Sequence, residues 1–85
     1  MALFFSTSSF EKSLLRLDLE VQKRVKEKLK FLSQQKNPIL FARKLRGQKD
    51  IFRFRVGDFR IVFQRSEKKI ILLLVKHRRD VYQNV

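Results

Sequence analysis

The arginines at 53 and 55 are the first residues whose type and spacing point to chemistry. In Asp50 to Val56 the apolar Phe52, Phe54 and Val56 alternate with Arg53 and Arg55, which predicts a strand with one buried and one cationic face. Gly57-Asp58 predicts a turn, and the chain returns with Arg60, so a hairpin sets a third guanidinium across from the first two. Three such groups suit a phosphate, because their N–H forks match paired anionic oxygens. A guanidinium stays charged and is a poor proton acceptor, so these residues offer charge rather than acid–base chemistry. His77, the only histidine, is the side chain whose ordinary titration range lies near neutrality and the candidate for proton transfer. Tyr82, the only tyrosine, offers an aromatic face for stacking. Each also admits a structural role: Arg53 and Arg55 as solvent-facing strand residues, Arg60 paired with Asp58 or Asp50, His77 as a strand-end residue, Tyr82 as cover for the core.

These positions need a scaffold, and the rest of the chain predicts one. Ala2 to Ser6 reads as a brief strand. Ser8 and Glu11 have capping-box spacing for a first helix running to about Leu17, with Phe10, Leu14 and Leu17 on one face. Asp18 is placed to cap a second helix whose Val21, Val25, Leu29 and Leu32 form an apolar stripe against a charged opposite face. Pro38 closes the second helix region, and Leu40 to Leu45 carries no assignable element. Strands are then expected over Asp50 to Val56, Phe59 to Arg65 and Ile70 to Lys76, with a turn at Ser66 to Lys69 between the last two. The third is apolar on both faces, as for a strand in mid-sheet covered on both sides. The expected fold class is α+β, a small antiparallel sheet with two N-terminal helices packed on it, in one domain over residues 1–85.

Composition narrows the function classes. The chain has 85 residues, 44% hydrophobic, with nine Phe, which is too apolar for a disordered basic tail. With no cysteine and one histidine it offers no disulfide, no thiol nucleophile and no multi-histidine metal site, so no cofactor is expected. The apolar run Ile70 to Val75 is far shorter than the roughly 20 residues of a membrane span, and Met1 to Phe5 lacks a basic leader region; a cytoplasmic protein without a membrane partner is expected. The net charge is +13, of which +4 lies before Pro38 and +9 from there on, so the positive charge sits mainly on the predicted sheet. A folded basic face of this kind suits nucleic acid, an acidic protein or an anionic membrane surface.

The order helix, helix, "KLRG" at Lys44 to Gly47, "FRFRVGDFRIVFQ" at Phe52 to Gln64, an apolar strand and "HRRDVY" at His77 to Tyr82 resembles the RelE/ParE toxin superfamily of bacterial and archaeal toxin–antitoxin systems. The resemblance covers nearly the whole chain. It implies one of two activities. RelE-like members are metal-independent endoribonucleases that cut mRNA, typically in the ribosomal A site, whereas ParE-like members inhibit DNA gyrase and lack the nuclease residues. Carried onto this sequence, the nuclease positions fall on Arg53, Arg55, Arg60, the His77-Arg78 region and Tyr82. Either His77 or Arg78 fills the C-terminal basic position. Lys44, Arg46, Lys49 and Arg79 are expected RNA contacts. Arginine stands at 53 and 55 where the best-known member has lysine, so the resemblance leaves the general base unassigned. It also implies a small acidic antitoxin as partner, with mRNA and the ribosome as target. A nucleic-acid-binding module without cleavage activity is the third reading.

Overall fold

The computed structural model describes residues 2–83, with side chains from Ala2 to Asp80. The elements run β1 (Leu3–Ser6), α1 (Ser8–Leu15), α2 (Leu19–Ser33), a 3₁₀ turn (Pro38–Phe41), β2 (Ala42–Lys44), β3 (Ile51–Val56), β4 (Phe59–Ser66), β5 (Lys69–His77) and α3 (Arg78–Gln83). The five strands form one sheet in the order β1-β5-β4-β3-β2. The fold class is α+β, as expected. β2 to β5 pair antiparallel, and β1 adds to the far edge parallel to β5, from Leu3 opposite Lys69 to Ser6 opposite Leu72.

Two-residue loops at Gly57-Asp58 and Glu67-Lys68 join the three central strands. Each has a positive φ at its first residue, 58° in both, the conformation that matches a hairpin to the right-handed twist of its strands. Gly57 serves this turn for a second reason: Arg24 of α2 lies over it, with Nη2 3.1 Å from where a Cβ would sit.

One face of the sheet carries the main core. Phe54, Val56, Ile61, Phe63, Ile70, Leu72 and Val75 are buried there beneath Phe10 and Leu14 of α1 and Val25 and Leu32 of α2. A smaller cluster on the opposite face joins Leu45 and Val62, flanked by Ile51, Leu73 and Leu74. This cluster covers β5 on its second side. The loop after β2, which carries Leu45, thus explains why that strand is apolar throughout.

Three local expectations are corrected. The cap of α1 is Thr7, not Ser8: Thr7 Oγ1 accepts from the Phe10 amide at 3.1 Å and donates to the Leu72 carbonyl at 2.8 Å, while Glu11 accepts from Ser6. Thr7 therefore starts the helix and ties it to β5. Beyond Ser6 that edge of β5 has no neighbouring strand, and Ser13 Oγ accepts from the Val75 amide at 3.0 Å in its place. Asp18 occupies the cap position of α2 without a side-chain cap bond. Pro38 does not end α2, which stops at Ser33; it opens the 3₁₀ turn that leads Leu40 to Leu45 into β2.

Candidate functional site

The face opposite the helices collects cations across four strands. Residues directly opposite one another on neighbouring strands point to the same face, so the pairings Arg43 with Arg53, Arg55 with Arg60, and Arg60 with Lys76 define one surface. Phe41, Arg43, Arg53, Arg55 and Arg60 line an open cavity of about 440 Å³ there, and no carboxylate is among the described lining residues. Like charges facing each other across strands are destabilising by up to about 1 kcal/mol per pair. A sheet that stacks them across β2, β3, β4 and β5 is suited to an anion that relieves the repulsion.

Arg60 is set apart from its neighbours. It is only 7% exposed, and its Nη1 donates to the carbonyls of Gly57 at 2.9 Å and Phe59 at 3.0 Å. Neither Asp58 nor Asp50 pairs with it; the ion pair at this turn joins Asp58 to Arg78, at 4.0 Å and largely exposed, a geometry worth little in water. Arg60 thus holds the β3–β4 turn and is also one of the residues that line the cavity. Arg60→Ala is expected to lower stability by roughly 1.5–3 kcal/mol through the lost charge-assisted bonds, and Arg60→Lys by less, read by thermal melting.

The structure sends the C-terminal candidates to different places. His77 pairs with Phe59 and lies on the helix-facing side of the sheet, away from the arginines. Its ring meets Phe59 edge-on at 5.4 Å, and Nδ1 accepts from the Arg79 amide at 3.2 Å, where α3 begins. Lys76, opposite Arg60, is the residue β5 contributes to the cationic face. Arg78 and Arg79 are exposed in the first turn of α3. The backbone of Tyr82 belongs to α3, and its side chain lies outside those described. Lys44 pairs with Phe52 and so faces away from the cavity at the sheet edge, while Arg46 and Lys49 are exposed on the loop that carries Leu45.

Phe41, Arg43 and Lys76 are the cavity and rim residues that the sequence reading lacked. A three-residue strand is too short for alternation to assign Arg43 a face. For Lys76 the obstacle is a bulge. Val62 pairs with Leu74 but Phe63 with Leu72, so Leu73 is an extra residue that reverses the alternation beyond it.

A family described as the ParE toxin of type II toxin–antitoxin systems, parDE, matches residues 5–82. Comparison with curated protein sequences finds no match. Among solved structures, the chain is similar to the RelB–RelE antitoxin–toxin complex from Methanococcus jannaschii, with TM-score 0.77, 24% identity, and 94% of this chain and 96% of that chain covered. The archaeal RelE–RelB complex from Pyrococcus horikoshii OT3 matches with TM-score 0.69, 26% identity, and coverage of 91% and 94%. The isolated E. coli RelE toxin matches with TM-score 0.65 and 20% identity over 100% of both chains. With the family match spanning nearly all of its length and the same architecture recurring in RelE toxins, the chain belongs to the ParE toxin family of type II toxin–antitoxin systems, within the RelE/ParE superfamily.

Proposed function

We propose that this toxin is a metal-independent endoribonuclease that cuts mRNA in the ribosomal A site and so arrests translation. The observation that carries this reading is the cavity in which Arg43, Arg53, Arg55 and Arg60 converge without a carboxylate among the described lining residues. In the reaction the RNA 2′-oxygen attacks the adjacent phosphorus, its proton leaves, and the bond to the 5′-oxygen breaks as that oxygen gains a proton. The products are a 2′,3′-cyclic phosphate and a 5′-OH. Arg53, Arg55 and Arg60 hold the negative charge that grows on the phosphorane oxygens. Lys76, an ammonium beside Arg60, is the proton donor to the leaving oxygen, a role that the fixed cationic arginines fill poorly. Tyr82 stacks on a base and orients the 2′-OH. His77 serves as a structural cap, while Arg46, Lys49, Arg78 and Arg79 extend a phosphate track around the site.

No residue placed on this face by the described structure is a carboxylate or a histidine, so removal of the 2′ proton and its in-line alignment fall to the ribosome–mRNA complex. Naked RNA is therefore cut slowly and programmed ribosomes restore the rate; equal cutting with and without ribosomes contradicts this division of labour. The partner is an acidic antitoxin that covers the cationic face, a reading supported by the two archaeal relatives, which are RelE–RelB complexes. The site of action is the cytoplasm. A second reading, inhibition of DNA gyrase by protein binding, is favoured by the family's description as ParE toxin. Supercoiling by purified gyrase in the presence of the toxin distinguishes the two, with uninhibited supercoiling expected.

A further inference from the structure

Phe41 is a large apolar side chain, 47% exposed, in a cavity otherwise lined by arginines. It belongs to neither hydrophobic cluster, although its neighbours Ile39 and Ala42 both pack on the main core. Burial therefore does not explain it. Its position is nevertheless fixed. Pro38 is buried at the start of the 3₁₀ turn, and the Ala42 amide donates to the Ile39 carbonyl at its end, which pins the backbone on both sides. The ring meets Phe31 of α2 edge-on, with centroids 5.5 Å apart and planes at 82°, and Lys28 Nζ stands 5.4 Å from the Phe31 ring on the same helix. A held aromatic ring beside a basic groove is the arrangement by which proteins bind single-stranded nucleic acid, since every base has a π face and every linkage a phosphate. A cavity of about 440 Å³ is also of nucleotide size.

We propose that Phe41 is a stacking platform for one unpaired base of the bound RNA, set so that the adjoining phosphate enters the arginine-lined cavity. The proposal rests on the RNA reading above and adds to it a base-binding position distinct from Tyr82: Phe41 precedes β2 at the edge of the sheet, whereas α3 packs on β4 and β5. Phe31 acts as a positioning residue that holds the platform ring.

The test uses the whole chain and short single-stranded RNAs with 2′-deoxy substitutions to block cleavage, carrying 2-aminopurine at each position in turn. The wild type is expected to quench the probe strongly at one position. Phe41→Ala abolishes that quenching and weakens binding roughly 5- to 150-fold, the span that one lost base–aromatic stack produces. Phe41→Trp retains both. An abasic nucleotide at the quenched position weakens wild-type binding as much as Phe41→Ala does and weakens Phe41→Ala no further. Phe31→Ala gives partial loss of quenching with the Phe41 ring still present. Arg43→Gln instead reduces affinity and its salt dependence while quenching at saturation persists. Unchanged affinity and quenching in Phe41→Ala, with arginine variants impaired, overturns the platform alone. If Phe41→Ala instead weakens only an acidic protein partner, Phe41 belongs to a protein interface and the platform is likewise overturned. Failure of the wild type to bind any of the RNAs overturns the platform, while the RNA reading falls separately if mRNA on programmed ribosomes stays uncut.

Discussion

Arg55→Ala is expected to slow single-turnover cleavage on programmed ribosomes by about 10²- to 10³-fold, the loss seen when one donor to a developing oxyanion is removed, about 2.7–4 kcal/mol. Arg55 is exposed and lies directly opposite Arg60, so its removal leaves the core intact and relieves one like-charge pair. Its melting temperature should stay level or rise slightly while toxicity disappears. Arg60→Ala moves the other way, because its Nη1 holds the carbonyls of Gly57 and Phe59. Loss of toxicity in Arg60→Ala therefore mixes stability with chemistry, and Arg55→Ala separates them. A fully toxic Arg55→Ala with unimpaired cleavage removes the arginine cavity from the mechanism.

Phe54→Ala should be the most damaging core substitution tested by melting. Phe54 stands between Arg53 and Arg55 in sequence but is fully buried on the opposite face of the sheet, and its ring stacks on Phe63 with centroids 4.3 Å apart. Phe63 in turn stacks on Phe52, and Phe4 of β1 lies 6.5 Å from Phe54, so one aromatic row ties β1, β3 and β4. Truncation of a buried phenylalanine costs about 3–5 kcal/mol, against about 5–15 kcal/mol for the whole stability of a typical domain. The expected fall in melting temperature is at least ~12 °C, taking about 4–8 °C per kcal/mol for a domain of this size. Toxicity should fall too, because the strand that aims Arg53 and Arg55 is held by this ring. Antitoxin binding should recover part of the melting temperature, since a ligand of the folded state stabilises it by mass action. A drop of only a few degrees contradicts the role given to the aromatic row.

The hairpin was legible because its two chemistries alternate: Phe52, Phe54 and Val56 on one face, Arg53 and Arg55 on the other, with Arg60 returned opposite them by a two-residue turn. The helices were legible from their apolar stripes, less so at their ends, where Thr7 outcompetes Ser8 because its hydroxyl also reaches Leu72. Ile70 to Val75 hid more. Six apolar residues carry no polar marker of face, and strict alternation from buried Ile70 puts His77 with the arginines. The extra residue Leu73 shifts the count by one, which delivers Lys76 to that face and His77 to the other. Phe41 and Arg43 were obscured for a different reason. Their elements, one 3₁₀ turn and a three-residue strand, are shorter than the periods from which faces are read.

Mapping RNA 5′ ends after a pulse of toxin expression without antitoxin, beside the same pulse of Arg55→Ala, decides between RNA cleavage and the gyrase reading. Cleavage by the wild type predicts new 5′-OH ends within translated codons, matching 2′,3′-cyclic phosphate ends upstream, and their absence in Arg55→Ala. Intact mRNA with continuing protein synthesis, and double-strand DNA breaks in its place, would contradict it.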